Sequence, residues 1–379
     1  MQETNKFSHW LEKKWVAPSF AGWLLGVIAI CFFGAATNTM AGWLYVISGV
    51  ILAILGLGAV IPMRSLKPLK LRRLPIEPVS AGEQLIIELE IENPTPKPKT
   101  LIHIKDCLPS GLSQPTTTAI ETIPPQSKHR WTYYPTAQKR GIYHWHELEL
   151  RTGTPLGVCW CRRTREIPTK AIVYPTVLPL THCPLIDSIG EEDSTKLQSD
   201  RLYLAATEGI TKTLRQYRFG DPTRLIHWRT SARFGDLQVR ELEIITGGQE
   251  VILCLDSAPS WEEEAFELAV IAAASLYFYA SRAQLNVKLW TAGAGLLHGN
   301  RVVLETLAAV FPGEDNVAQP PSLPLIWLTQ NPSTIDSLPP GSRWLLFPQT
   351  KQPVINPNLR GLVINSEQSL QLQLQKLLS

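Results

Sequence analysis

The sequence predicts a membrane-anchored protein of mixed fold class, α/β plus all-β, built as a transmembrane hairpin, an all-β domain and an α/β domain in that order. Two apolar runs without charged residues stand near the start of the chain. Short segments of alternating hydrophobicity, separated by turn residues, follow them. Apolar strands then alternate with helical patterns. At 379 residues the chain is long enough for two globular domains and a membrane segment.

The hairpin is predicted from apolar runs at residues 17–36 and 41–61, which follow a polar lead at 1–16. As a helix, the second run would be roughly 31 Å long, enough to cross the hydrocarbon core of a bilayer. The basic segment 62–74 follows directly, and basic flanks stay on the cytoplasmic side. We therefore expect a multi-pass protein of the cell membrane, with both termini and the soluble domains in the cytoplasm.

Small residues recur on both predicted helices. Gly42, Gly49 and Gly56 are seven residues apart, and Gly22 and Gly26 are four apart. Because small residues let helices approach closely, we expect these glycines to pack the two helices against each other. Dimerisation of the hairpin through them is the alternative.

Residues 75–179 are predicted to form a β-sandwich of the immunoglobulin-like type. The first strand is expected at 84–91, where apolar and polar residues alternate, and Asn93-Pro94 ends it. Several short strands separated by turns with Pro and Gly are typical of such a sandwich. Further strands are predicted at 100–105, 130–134, 141–151 and 172–174.

Residues 214–379 are predicted to form a doubly wound α/β domain, after a connector at 180–213. An apolar strand at 250–255 and an Ala-rich helix at 262–282 open its regular part. Strands that alternate with helices predict a parallel sheet. The later strands are predicted at 285–290, 323–328, 344–347 and 361–364, and the later helices at 300–311 and 367–378.

Composition and motifs argue against several function classes. A net charge of +3 is too small to indicate a nucleic-acid partner, and the six cysteines have no repeated spacing that would indicate a disulfide framework. His144 and His146 could join Cys159 and Cys161 in a zinc set, but their spacing matches no common zinc motif. The chain carries no phosphate-binding loop, and no motif identifies a small-molecule substrate.

Residues 214–243 hold six arginines and no lysine. Asp221 is predicted to cap a short helix whose apolar face includes Trp228, so we expect that indole to be buried. Arg224 and Ser231 would lie on the opposite face. The guanidinium groups could pair with nearby carboxylates in a structural knot, or they could form an exposed surface that binds a protein or a phosphate.

The same segment resembles the family catalogued as domain of unknown function 58, and weaker similarity extends from about residue 60 to 300. The usual form of the family runs Leu-Arg-Glu-Tyr, Gly-Asp, Arg-x-Ile-x-Trp and Ser-Ala-Arg, and Gln216 replaces the Glu of that pattern here. The resemblance implies a role in protein maturation or cell-envelope function together with a MoxR-type AAA+ ATPase. The signature residues that we expect to bind a partner are Arg215, Tyr217, Gly220, Asp221, Arg224, Trp228, Ser231 and Arg233.

The turn after the 250–255 strand resembles the metal-binding loop of von Willebrand factor A domains, in which one Asp and two Ser oxygens hold Mg²⁺. Only Asp256 and Ser260 match that loop, because Ala258 replaces the middle ligand. We therefore expect either a weak Mg²⁺ site at Asp256 and Ser260 or no cofactor. The alternative is that Asp256 and Ser257 cap the helix that follows.

These observations predict a non-enzymatic interaction or assembly factor, because catalytic motifs are missing and the α/β domain resembles protein-binding A domains. The alternative is a metal-dependent module or enzyme that acts on an anionic substrate at the Asp256 strand end, where ligands bind in doubly wound sheets. The expected partners are a membrane, crossed twice, and the ATPase.

Overall fold

A computed structural model describes residues 15–113, 117–187, 210–216, 227–243, 250–348 and 360–376. The chain divides into two compact units, Met1–Pro175 and Thr176–Ser379. The first unit contains the apolar helices and the β domain. The second contains the arginine-rich segment and the α/β domain.

Two long apolar helices open the first unit. Helix α1, Phe20–Thr39, and helix α2, Gly42–Leu66, are long and apolar enough to cross a membrane. The Ser48 hydroxyl donates a hydrogen bond of 2.9 Å to the Ala29 carbonyl, which links the two helices. Helix α2 runs past the predicted end at residue 61, because Leu66 is fully buried in the core of the β domain.

The three regularly spaced glycines of α2 do not pack the helices together. A Cβ atom built at Gly42, Gly49 or Gly56 would meet no other described atom within 4 Å. At Gly26 it would lie 3.9 Å from the Leu55 side chain. The prediction that the three regularly spaced glycines pack α2 against α1 is therefore wrong, since they face open space.

The β domain contains two sheets around one apolar core. The larger sheet has the order β1-β9-β8-β5-β6, with β3 paired parallel to β9, and the smaller sheet has the order β2-β4-β7. In β4 every second residue is buried, as the alternating pattern predicts. The strands are β1 Ala17–Pro18, β2 Lys70–Arg73, β3 Val79–Ser80, β4 Ile87–Asn93, β5 Lys99–Asp106, β6 Thr118–Ile123, β7 Ser127–Tyr133, β8 Gly141–Thr152 and β9 Cys159–Tyr174.

A buried ion pair joins the two sheets. Arg73 Nη2 lies 2.6 Å from Asp106 Oδ2, and the two side chains are 3% and 0% exposed. The Tyr133 hydroxyl donates to the same carboxylate oxygen, and Trp145 Nε1 donates to the other oxygen at 3.1 Å. Burial raises the pKa of Asp106, while Arg73 and the hydrogen bonds oppose that rise.

The second unit contains a six-stranded sheet with the order β14-β13-β12-β15-β16-β17. All neighbours are parallel except β14, which pairs antiparallel with β13 at the edge. The earlier elements of this unit are β10 Ile210–Gln216, α3 Trp228–Phe234 and β11 Gln238–Glu243. The sheet and its helices are β12 Glu250–Leu255, α4 Glu263–Arg282, β13 Asn286–Thr291, β14 Gly295–Leu297, α5 Asn300–Ala309, β15 Ile326–Thr329, β16 Arg343–Leu346, β17 Gly361–Val363 and α6 Leu370–Leu374.

The two faces of this sheet are covered differently. Helices α4, α5 and α6 contribute to one core. On the other face, Trp290, Trp327 and Trp344 lie in one row across the strands, with Cys254 between the first two. Among the described residues, a short 3₁₀ segment, Pro332–Ser337, packs on that row. The described helices α4 to α6 therefore cover one face of the sheet. The predicted doubly wound arrangement has helices on both faces.

The start of the predicted connector belongs to the core of the second unit. Leu180, Cys183, Leu185 and Ile186 are each at most 4% exposed and pack with α4. The Arg343 guanidinium donates to the Leu185 carbonyl at 2.5 Å. Polar residues between these apolar positions led to the connector prediction, which is wrong for residues 180–187.

Asp106→Ala is expected to lower the free energy of unfolding of the first unit by about 3–5 kcal/mol, because it leaves the Arg73 charge buried without a partner. Denaturant unfolding in detergent micelles, followed by tryptophan fluorescence, measures this. Glu90→Ala is the control, since it removes a surface ion pair with Lys128 and should cost at most about 1 kcal/mol. Equal losses in the two variants would contradict the prediction.

Candidate partner-binding site in the arginine-rich segment

Strands β10 and β11 form an antiparallel hairpin, and α3 precedes β11 in the chain. We call residues 210–216 and 227–243 the signature module. Arg215 lies in β10 opposite Val239 of β11, and Arg233 lies in α3. Strand β11 thus forms the end of the arginine-rich segment.

Ser231 fastens α3 to β11. It is 7% exposed, and its hydroxyl accepts a hydrogen bond of 2.8 Å from the backbone N–H of Gln238. The same hydroxyl donates to the His227 carbonyl at 3.1 Å, and the His227 N–H donates to the Gln238 carbonyl at 2.8 Å. The helix is therefore held against the strand by directional polar contacts.

Side chains and backbone conformation define both ends of α3. The Nδ1 atom of His227 accepts hydrogen bonds from the Thr230 N–H at 3.2 Å and the Thr230 hydroxyl at 2.6 Å, so His227 is the N-cap. Gly235 ends the helix in the left-handed region, with φ 76°, and donates to the Ser231 carbonyl. Glycine adopts this conformation without steric cost, which explains the Phe-Gly-Asp turn after the helix.

The prediction that Trp228 is buried is wrong. Its side chain is 65% exposed, and its neighbour Arg229 is also exposed. The sequence pattern assigned Trp228 to the buried face of the helix and Ser231 to the exposed face. The opposite holds, because α3 begins only at Trp228 and Ser231 faces β11. Among the side chains of α3 that the structure describes, the polar Ser231 is therefore the buried one, and Trp228 faces solvent.

Several signature residues lie outside the described residues. These are Tyr217, Gly220, Asp221 and Arg224. The structure gives the backbone positions of Arg215 and Arg233, but their side chains also lie outside its description. The helix cap at Asp221 and the structural arginine knot therefore stay predictions.

A second polar cluster lies at the carboxyl end of the central strand. Asp256 follows β12 and is 6% exposed, and its Oδ2 accepts a hydrogen bond of 2.8 Å from the Thr329 hydroxyl at the end of β15. Burial raises the pKa of Asp256, while the bond from Thr329 opposes that rise. The chain leaves β12 and β15 at the position where the strand order reverses, which is where ligands bind in such sheets.

Ser257 joins the next loop to the same strand end. Its hydroxyl donates to Glu314 Oε2 at 2.7 Å and accepts from the Ala292 N–H at 3.0 Å. The backbone N–H groups of Gly313 and Glu314 both donate to the Ser257 carbonyl. Glu314 was not predicted from the sequence, since it lies in a loop without a motif. Thr329 was not predicted either, although it ends β15, and the carboxyl ends of parallel strands are where ligand-binding residues are expected.

The expected helix cap is not formed by this cluster. The N-cap of α4 is Glu262, without a capping hydrogen bond from its side chain, whereas Asp256 and Ser257 bond to Thr329 and Glu314. The alternative that these two residues cap the following helix is therefore wrong.

The same residues do not fit a Mg²⁺ site. Ser260 is exposed, whereas Asp256 is buried and hydrogen-bonded to Thr329. The middle position of the expected loop holds Ala258, which has no ligand atom, and Mg²⁺ requires several oxygens in near-octahedral geometry. Among the described residues, no group of three or more His, Cys, Asp or Glu side chains is placed to hold a metal ion.

Comparisons with known proteins support the resemblance in the signature module. The profile of the family described as "Protein of unknown function DUF58" matches residues 213–298. The uncharacterized protein YeaD of Bacillus subtilis (strain 168) is 27% identical over 226 residues, which are 58% of this chain and 54% of that protein. The chain thus spans about half the length of this relative.

Solved structures show only slight similarity. A beta-glucosidase from Listeria innocua in complex with glucose is 13% identical, with a TM-score of 0.18 over 28% of this chain and 16% of that chain. A GH20 exo beta-N-acetylglucosaminidase from Vibrio harveyi is 9% identical, with a TM-score of 0.15 over 70% and 57% of the two chains. Likenesses at this level carry no argument about fold or activity.

Ser231→Ala is expected to lower the free energy of unfolding of the signature module by about 1–3 kcal/mol, because the Gln238 N–H loses its acceptor in a buried position. Hydrogen exchange of the α3 and β11 amides in the full chain measures this local stability. Ser260→Ala is the control, since that side chain is exposed and its loss should leave the exchange unchanged. Unchanged protection in Ser231→Ala would contradict the role of the hydroxyl.

Asp256→Asn is expected to make the second unit more stable than the wild type at neutral pH. The folded-state pKa of Asp256 is raised by burial, so wild-type stability falls as the pH rises from the unfolded-state pKa of about 3.9 through the folded-state value. The advantage of the Asn variant should therefore grow from about pH 4 upward and then level off.

Thermal melts across this pH range measure the difference, with the exposed Asp315→Asn as the control. A pH-independent difference between Asp256→Asn and the wild type would contradict the raised pKa.

Proposed function

We propose that this protein is a membrane-anchored interaction or assembly factor without chemistry of its own, and that it binds a protein partner through Trp228 and Arg229. The observation that carries the proposal is the 65% exposure of Trp228 on a helix that Ser231 fastens in place. The partner that the family resemblance suggests is a MoxR-type AAA+ ATPase, in protein maturation or cell-envelope function.

Exposed tryptophan and arginine residues are chemically suited to this role. Trp and Arg are enriched among the residues that carry most of the binding energy in protein interfaces. A large indole in water gains free energy when a partner covers it, because apolar area leaves the solvent. The hydrogen bonds of Ser231 and His227 order α3 in advance, which lowers the entropy cost of binding.

The charge of the segment favours an acidic partner surface. Residues 214–243 contain six arginines, and guanidinium groups bind carboxylates with paired hydrogen bonds. Arg229 lies beside Trp228 and is exposed. We therefore expect the partner to present an apolar pocket bordered by Asp or Glu, and the affinity to fall with rising salt concentration.

Membrane attachment and topology are part of the same proposal. Helices α1 and α2 would cross the bilayer as a hairpin. Three exposed basic residues, Arg64 in the last turn of α2 and Lys67 and Arg72 after it, favour a cytoplasmic location for the soluble units. The two sheets of the β domain around one core support an immunoglobulin-like sandwich. The parallel sheet with its antiparallel edge strand supports a von Willebrand factor A-like fold of the second unit, although the described helices α4 to α6 cover one face of that sheet.

Trp228→Ala is expected to abolish partner capture while leaving the free energy of unfolding within about 0.5 kcal/mol of the wild type, because the side chain is exposed. The measurement is a crosslinked pull-down of the full chain from native membranes, followed by mass spectrometry. Leu372→Ala is the matched control, since it removes another exposed apolar side chain of the second unit, 69% exposed in α6.

The outcomes of this experiment separate the parts of the proposal. Loss of one set of proteins in Trp228→Ala, with retention in Leu372→Ala, supports a docking site at Trp228. Equal recovery in both variants contradicts it. If proteins are lost but no AAA+ ATPase is among them, the site is supported and the ATPase partner is contradicted.

A further inference from the structure

The loop between β8 and β9, residues 153–158, is bonded to the start of helix α1. We call it the interface loop. Both the N–H and the hydroxyl of Ser19 donate to the Val158 carbonyl, at 2.8 Å and 3.0 Å. Ser19 is also the N-cap of α1, because its hydroxyl accepts from the Gly22 N–H at 3.2 Å. The cap of the helix and the attachment of the loop thus share one side chain.

Two glycines make room for Val158 between the helices. A Cβ atom built at Gly22 would lie 2.1 Å from the Val158 carbonyl oxygen, and one built at Gly58 would lie 2.3 Å from Val158 Cγ2. Such contacts are sterically impossible, and the first involves backbone that cannot turn aside. Val158 itself is 6% exposed. The loop therefore fills a gap that only glycine at both positions leaves open.

The loop lies at the depth where the apolar parts of the helices end. Beyond Gly58, helix α2 belongs to the β domain, because Leu66 is in its core and the Arg165 guanidinium donates to the Leu66 and Lys67 carbonyls. The 16 residue steps from Gly42 to Gly58 correspond to roughly 24 Å of helix, which is most of the roughly 30 Å of a hydrocarbon core. Val158 thus lies near one end of the apolar layer.

Exposed apolar side chains lie near Val158, at this end of the two helices. Phe20 and Trp23 in the first turn of α1 are 85% and 65% exposed, and Leu156 in the interface loop is 47% exposed. A Leu156 methyl group would be 3.8 Å from a Cβ atom at Gly58, so it lies beside the apolar helix. Tryptophan is enriched where hydrocarbon meets headgroups, and leucine gains free energy on leaving water there.

We propose that the interface loop is a membrane-contacting element. Val158 fills the gap between the two helices, while Leu156, with Phe20 and Trp23, enters the boundary between headgroups and acyl chains. The β domain then lies directly on the bilayer in a fixed orientation, and the helices do more than tether it. This inference rests on the membrane anchoring in the proposed function, but not on the partner or on Trp228.

The test uses the full chain with Cys31 and Cys107 replaced by serine, in liposomes of phosphatidylcholine and phosphatidylglycerol. Leu156→Cys is labelled with an environment-sensitive fluorophore, and lipids with a quencher near the carbonyl end of the acyl chain are added. Ile86→Cys is the control in the β domain and Val27→Cys the control in α1, with side chains 56% and 52% exposed. Ile86 precedes β4, in which Glu92 pairs with Lys70 just after α2 and Leu89 pairs with Arg73, so Ile86 lies at the end of the smaller sheet away from the helices. The label at 156 is expected to be quenched by the shallow lipid, and the label at 86 is not.

Failure of this inference and failure of membrane anchoring are distinguishable. If the label at 27 is quenched by lipids that carry a deep quencher, but the label at 156 behaves like that at 86, the helices cross the membrane and the loop inference is overturned. If the labels at 27 and 156 both escape quenching, membrane anchoring is overturned as well.

A second variant tests the gap between the helices. Gly22→Ala is expected to displace Val158, which should reduce quenching at position 156 and lower the melting temperature. Gly34→Ala is the matched control in the same helix, because a Cβ atom there would meet no described atom within 4 Å. Unchanged quenching at 156 in Gly22→Ala would overturn the assigned position of the loop.

Discussion

The Arg73–Asp106 ion pair is the contact on which the first unit depends, because it joins the smaller sheet, the larger sheet and the chain that leaves helix α2. Arg73 ends β2, Asp106 ends β5, and Tyr133 of β7 bonds to the same carboxylate. Hydrophobic contacts have no preferred direction and allow two sheets to slide. A buried charge tolerates no such displacement, since loss of its partner costs several kcal/mol. The pair therefore fixes β2, the first strand after α2, against the larger sheet.

In the signature module, polar contacts hold the helix in place, so that an aromatic side chain stays exposed to a binding partner. A short helix usually pays for its order by burying an apolar face. In α3 the order comes instead from the His227 cap and the Ser231 hydroxyl, so Trp228 is free to face solvent. The exposed Arg229 next to it gives this surface a charged, hydrated neighbour. The arrangement separates the residues that stabilise the module from those available to a partner.

Regular elements were predictable where one periodicity dominates. The strand at 250–255 and the helix at 262–282 agree with β12 and α4 within one residue, because their apolar patterns are long and uninterrupted. Strand β2 was missed because Arg73 carries a charge into a core, which no hydrophobic pattern indicates. The face of Trp228 was mispredicted because seven helical residues are too few to define an apolar stripe. Contacts between distant residues, such as Ser257 with Glu314, leave no local signal.

The contact of Val158 with Gly22 and Gly58 also constrains how the protein is made. Val158 follows Gly58 by 100 residues in the chain (158 − 58), so a ribosome adds it roughly 5–20 s after Gly58. During that interval the hairpin is complete, but the gap between its helices is unfilled and the Ser19 N–H lacks the Val158 carbonyl. The gap between the helices therefore stays open until β8–β9, the longest hairpin of the β domain, is synthesised.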